Sequence, residues 1–165
     1  MVVALCTSGA GVQVVVGRAG TCKTYALDAA RAAWEGSGRA VVGAALSARA
    51  AGDLASTTCM EATTIDRLLD GIERPGPAGG LAPGSVVVID EAAMIGTRKL
   101  GRLLAIAERD GAAVVLAGDH RQVPEIEAGG TFAALGRRLG ALGLTENRRQ
   151  HQEWERRRPR RPPLG

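Results

Sequence analysis

A run of β-branched valines (Val12, Val14, Val15, Val16) breaks at Gly17. The chain then passes through Arg18-Ala19-Gly20-Thr21-Cys22 to Lys23-Thr24 and the helix-forming Tyr25-Ala26-Leu27. A near-continuous apolar strand of this kind is buried on both faces, which is the demand of a parallel sheet. A short glycine-bearing loop that follows it and opens a helix lets backbone N–H groups and the positive end of the helix dipole converge on an anion. The spacing GxxxxGK[ST] of a phosphate-binding P-loop is met at every position but one: Cys22 stands where the glycine before the lysine is expected. In that reading Lys23 neutralises β/γ-phosphate charge and the Thr24 hydroxyl ligates Mg²⁺. The alternative is a plain glycine-rich turn capping a helix, and the strand before it and helix after it argue against that.

At 165 residues the chain suits one domain with a useful core. Only two tryptophans, one tyrosine and one phenylalanine are present, so that core is built of Ala, Val, Leu and Ile. No run approaches the ~20 apolar residues of a membrane span, and the opening MVVALCTSGAGV lacks the basic start of a signal peptide. Three widely spaced cysteines (Cys6, Cys22, Cys59) suggest neither a disulfide framework nor a zinc site. A cytoplasmic location is the expectation. The net charge of +4 is unevenly spread. From Arg148 onward seven arginines (148, 149, 156, 157, 158, 160, 161) outweigh Glu153 and Glu155, and the preceding 147 residues sum to −1. The body therefore offers no global basic footprint for nucleic acid.

Strand and helix signals alternate along the chain. Residues 1–8 read as the end of a helix, Val12–Val16 as a strand and 24–36 as a helix stopped by Gly36-Ser37-Gly38. A second strand is expected at Arg39–Ala45. Helices follow, capped by Ser47 (to about Leu54) and by Thr64 (to Leu69). Gly71–Pro83 reads as a surface loop, Ser85–Ile89 as a third strand, Thr97–Arg109 as a helix and Ala112–Ala117 as a fourth strand. Thr131–Leu139 reads as a helix and Gly140–Leu144 as a weak fifth strand. Such alternation implies a three-layer parallel α/β sheet with right-handed crossovers. The Arg/Pro-rich residues 156–165 have nothing to bury and are expected to be disordered.

Two further strand ends carry chemistry. VVVIDEA (Val86–Ala92) ends in adjacent carboxylates, placing Asp90 for the Mg²⁺ shell beside Thr24 and Glu91 to polarise an attacking water. The alternative for this segment alone is an Asp that merely caps the next helix, and its pairing with a P-loop about 70 residues upstream favours the Mg²⁺ reading. The strand VVLAG leads into Gly118-Asp119-His120-Arg121-Gln122. The Gln122 amide suits γ-phosphate sensing, and Asp119 serves either the same site or a turn.

Taken in order, GRAGTCKT, GAALSARAA, ATTIDRLL, VVVIDEAAM, GDHRQVPEIEAGG and LTENRRQ resemble superfamily 1 DNA helicases of the RecD-like branch. Most closely they are similar to the helicase half of TraA/TrwC-type (MobF) conjugative relaxases, over about residues 2–155. The resemblance implies a RecA-like P-loop motor domain over residues 1–155 that binds and hydrolyses ATP with Mg²⁺. By that resemblance Gly17, Arg18, Ala19, Gly20, Thr21, Cys22, Lys23 and Thr24 form motif I, and Asp90 and Glu91 form motif II. Gly118, Asp119 and Gln122 belong to motif III, and Arg149 to motif IV, where a guanidinium stabilises developing phosphoryl charge. It also places Ser47 and Thr63-Thr64 in segments lining a single-stranded DNA track, although both are ordinary helix caps as well. Glu91, Gln122 and Arg149 are thus the expected catalytic residues, and Thr24 and Asp90 the metal ligands.

The chain departs from that pattern in four respects. The family's adenine-contacting glutamine lies upstream of the first residue, His120 replaces a common proline, Cys22 replaces a glycine, and no second motor domain follows motif IV. The expectation is a truncated first motor domain, its Arg/Pro-rich tail being what an out-of-frame reading of GC-rich DNA yields. The rival expectations are a catalytically dead nucleotide-binding or interaction remnant, a basic arm for nucleic acid in residues 156–165, and a small-molecule P-loop kinase.

Overall fold

The computed structural model describes residues 1–17, 23–74, 76, 79–119 and 129–144. The order of elements is α1 (Val2–Thr7), β1 (Val12–Gly17), α2 (Lys23–Gly36), β2 (Val41–Ala45), α3 (Ala48–Thr58), β3 (Glu61–Thr64) and α4 (Ile65–Ile72). It continues with β4 (Val86–Ile89), a 3₁₀ turn (Ala92–Met94), α5 (Thr97–Asp110), β5 (Ala113–Gly118), α6 (Gly129–Leu139) and β6 (Leu142–Leu144). The strands form one sheet in the order β3-β2-β4-β5-β1-β6, with every pairing parallel.

The period-2 alternation of strand side chains separates two cores. Val86, Val88, Val15, Val115 and Ala117 face Leu5 of α1, Leu27, Ala30 and Trp34 of α2, and Leu54 of α3. Val87, Ile89, Val14, Val114 and Leu116 face Leu68 and Leu69 of α4, Leu100 and Leu103 of α5, and Phe132 of α6. This is the three-layer architecture expected, with helices on both faces of a parallel sheet. Among the described residues the core is aliphatic apart from Phe132 and Trp34.

Both expected caps are present: the Ser47 hydroxyl accepts from the Ala50 N–H and the Thr64 hydroxyl from the Arg67 N–H. The helices behind them run longer than the sequence reading allowed. α3 reaches Thr58, and the hydroxyls of Ser56, Thr57 and Thr58 donate back to the carbonyls of Asp53 and Leu54 within its last turn. α4 reaches Ile72, taking two residues from the expected 71–83 loop. Its buried stripe Ile65, Leu68, Leu69, Ile72 keeps helical spacing straight through Gly71. Among the described residues the sheet has six strands where five were expected. The extra one, β3, is a four-residue edge strand (EATT) with no apolar run, starting just after the left-handed cap Cys59 and ending on Thr64, which also caps α4.

The connection back into β4 is pinned by Asp110. Its carboxylate accepts from the Leu81 N–H at 2.7 Å and from Arg109 Nε at 2.6 Å. The Arg109 guanidinium first, and then the Leu81 N–H, hold this carboxyl below its ordinary value. A group with a depressed folded-state pKa contributes stability above the ordinary carboxylate range and loses it as pH falls through the folded value. Asp110→Asn is therefore expected to lower Tm at pH 7 by about 2–4 °C. That deficit should shrink as the pH is taken below the ordinary carboxylate range, which thermal melts along a pH series would check.

Candidate functional site

In an all-parallel sheet every strand delivers its C-terminal residue to one edge, so Gly17, Asp90, Asp119, Ser47 and Thr64 all emerge on the same side. Within that edge one crevice is special. β1 and β5 are neighbours, with Val16 opposite Gly118. The helix after β1 packs on one face and the helix after β5 packs on the other. Where adjacent strands send their connections to opposite faces, the backbone parts and leaves an opening at the strand ends.

On the β1 side of this opening α2 begins at Lys23. The Lys23 ammonium donates to the Gly17 carbonyl at 2.8 Å, spanning the two ends of the glycine-bearing loop. Lys23 and Thr24 are both half-buried. Residues 18–22, which hold most of the expected cradle and Cys22, lie outside the described residues.

The β4 end lies one strand further across, Ile89 being opposite Leu116. The Asp90 N–H extends the sheet by donating to the Ala44 carbonyl, and its carboxylate accepts from the Glu91 N–H at 2.9 Å. Glu91 then adopts a left-handed conformation (φ 54°, ψ 30°), which a β-carbon disfavours. The 3₁₀ turn that follows is seated against β5, with Ala92 and Ala93 buried. Gly118 permits that seating: a β-carbon there would stand 3.0 Å from Phe132 Cζ and 3.1 Å from the Ala93 nitrogen. Asp119, the next residue, is only 7% exposed.

Of the residues singled out from sequence, the structure thus brings Gly17, Lys23, Thr24, Asp90, Glu91, Gly118 and Asp119 to one edge of the sheet. Gln122 and Arg149 lie outside the described residues, as do Arg18 to Cys22. Ser47 and Thr64 are on the same edge, further along at β2 and β3, with Thr63 inside β3. Sequence reasoning missed the left-handed turn at Glu91; two consecutive acids at a strand end carry no signal for it.

Among the described residues no three His, Cys, Asp or Glu side chains gather into a ready-made metal cage. Mg²⁺ is held by one or two carboxylates, water and substrate phosphates rather than by a protein cage. Asp90 and the half-buried Thr24, delivered to the same edge of the sheet, offer one carboxylate and one hydroxyl of that kind. Also among the described residues, no helix is long and apolar enough to cross a membrane.

Sheet, switch point and strand-end residues together define a RecA-like P-loop NTPase fold. The profile of the AAA-domain family matches residues 1–161, and the chain belongs to that family. Its sequence is 38% identical over 145 residues to a probable conjugal transfer protein TraA of Sinorhizobium fredii, covering 87% of this chain and 13% of that protein. It is 34% identical over 143 residues to the ATP-dependent RecD2 DNA helicase of Deinococcus radiodurans, covering 83% of this chain and 19% of that protein. These likenesses place it with the RecD-like helicase domains of TraA relaxases. Among solved structures, the Pif1 helicase from Candida albicans superposes with a TM-score of 0.48 at 21% identity, over 72% of this chain and 31% of that one. The chain spans about an eighth of the length of the TraA protein it matches.

Proposed function

We propose that this chain binds ATP with Mg²⁺ and hydrolyses it, as the first motor domain of a superfamily 1 DNA helicase related to the helicase part of conjugative relaxases. The observation that carries this reading is the gathering of Lys23, Asp90, Glu91 and Asp119 at the β1/β5 switch point and the strand end beside it. In this reading the motor domain covers residues 1–155, followed by an Arg/Pro-rich segment, and the protein works in the cytoplasm.

The Gly17–Thr24 backbone cradles the phosphates, and Lys23 exchanges its bond to the Gly17 carbonyl for the β/γ-phosphates. Thr24 and Asp90 hold Mg²⁺, which when bound offsets phosphate charge. A Glu91 carboxylate oxygen takes the proton of the attacking water as the γ-phosphoryl group passes to the water oxygen and ADP leaves; in this reading the Gln122 amide serves to orient the water and the Arg149 guanidinium to offset the developing charge. Ser47 and Thr64 use a lone pair as caps and keep the hydroxyl proton to donate to a single-stranded DNA phosphate.

Cys22 favours a second reading, nucleotide binding without turnover. A side chain at the glycine position before Lys23 crowds the β-phosphate, and a positive φ there would cost about 1–3 kcal/mol. One experiment addresses both readings: ATP binding and hydrolysis, with and without single-stranded DNA, for the parent chain, Cys22→Gly and Lys23→Ala. Cys22→Gly is expected to bind ATP about tenfold more tightly than the parent, and Lys23→Ala to lose binding. Equal affinity in all three would refute the nucleotide site. Tight binding by Cys22→Gly with no hydrolysis in any condition would leave the binding-only reading standing.

A further inference from the structure

At the edge of the sheet opposite Gly17 and Asp90, where β1, β4 and β5 begin, a cleft of about 380 Å³ opens between the strands and the last turns of α1, α2 and α5. That is room for a small molecule. Its deep wall is apolar, made by the buried Leu5, Trp34, Val86 and Val115. Two charged side chains line it, Arg39 and Glu108. Arg39 is half-buried and engages its Nε, which donates to the Gly84 carbonyl at 2.6 Å. Among the described residues neither its guanidinium nor the exposed Glu108 carboxylate has an ion-pair partner. The topology keeps them from pairing with each other. Arg39 leads into β2 and Glu108 into β5, with β4 between, so their backbones stand two strand spacings or about 10 Å apart.

The Glu108 end of the cleft is reinforced twice. α5 stops there at Gly111, and the negative end of its dipole favours a cation. Arg109 on the same turn is already held by Asp110. Gln13 reaches the cleft from β1, the strand beside β5. Its Nε2 donates to the Leu5 carbonyl at 2.9 Å, which fixes the sense of the amide, and its Oε1 is buried with no donor among the described residues. A stranded acceptor is costly, and a donor brought to this end removes the cost.

We propose that this cleft binds a short zwitterion, with its anionic group on Arg39, its ammonium between Glu108 and Gln13, and its apolar body against Leu5, Trp34 and Val86. The class is that of ω-amino acids and free dipeptides, whose charges lie several bonds apart. An α-amino acid carries both charges on one carbon and cannot reach both ends. The cleft and the nucleotide edge lie at opposite ends of the strands, so this site stands or falls independently of ATP.

The probes are 6-aminohexanoate and two relatives that each lack one charge, hexanoate and hexylamine, titrated against the full chain by ligand-detected NMR. The parent should bind 6-aminohexanoate with a Kd of about 1 mM and each relative about tenfold more weakly. Arg39→Gln should weaken 6-aminohexanoate and hexanoate by about that factor and spare hexylamine. Glu108→Gln should weaken 6-aminohexanoate and hexylamine, spare hexanoate, and melt like the parent because the side chain is exposed. Arg39→Lys restores the charge and should recover part of the hexanoate affinity, which separates lost charge from a disturbed fold. No saturable binding by the parent overturns the proposal. So does equal affinity for all three probes, which would mark an apolar cleft without charge selection. Binding of 6-aminohexanoate that survives both Arg39→Gln and Glu108→Gln overturns it too, as does a loss of all three probes in Arg39→Gln that Arg39→Lys does not recover.

Discussion

Glu91→Gln is expected to lower ATP turnover by about 10²–10⁴-fold while nucleotide binding persists. Glutamine keeps the shape of the side chain but cannot accept a proton from water. The metal and phosphate contacts proposed for Thr24, Asp90 and Lys23 are untouched by the change. The backbone at Glu91 supplies a companion variant. At φ 54° this residue occupies a region that glycine enters freely and glutamate does not. Glu91→Gly should therefore be equally inactive yet more stable than the parent, by about 1 kcal/mol. Stability gained with activity lost would mark Glu91 as a residue held in strain for chemistry. Steady-state hydrolysis, nucleotide titration and denaturant melts on the two variants decide it. Parental turnover in Glu91→Gln would remove Glu91 from the role of base, and unchanged or reduced stability in Glu91→Gly would remove the strain argument.

The layered sheet and its active edge were legible because their signals are local and redundant. The valine runs at 12–16 and 86–88 force buried parallel strands, and the residues that end them, Gly17 and Asp90, are then delivered to one edge whatever the details. Ser47 and Thr64 were readable as caps because capping is a contact made three residues away. Two of the misses share one cause. β3 is held by its partner: Glu61–Thr64 pairs with Val42–Ala45, and nothing in EATT records that. The left-handed backbone at Glu91 is likewise imposed from outside, by the seating of Ala92 and Ala93 against β5. The run of α4 through Gly71, by contrast, was written in the spacing of Ile72 from Ile65, Leu68 and Leu69, and the glycine obscured it.

Gly118→Val is expected to destabilise the fold by about 1–3 kcal/mol and, unlike an ordinary core lesion, to depress turnover of the molecules that remain folded. The added β-carbon would press on Phe132 Cζ at 3.0 Å and on the Ala93 nitrogen at 3.1 Å. Phe132 is 1% exposed and closed in on all sides, so the backbone at Ala93 must yield. Ala93 is two residues from Glu91, and the shift passes directly into the turn that aims both carboxylates. Gly43→Ala provides the contrast. A β-carbon there meets Met60 Sδ at 2.9 Å and Leu54 Cδ2 and the Ala62 β-carbon at 3.0 Å. These are side-chain atoms well inside the sheet, two positions short of the end of β2. That variant should lose stability but keep parental turnover per folded molecule. Denaturant titrations give the stability of each, and hydrolysis rates corrected for the folded fraction give the turnover. Equal turnover in the two variants would show that Gly118 serves packing alone; a deficit confined to Gly118→Val would show that the close approach of β5 to the 90–94 turn sets the geometry of the site.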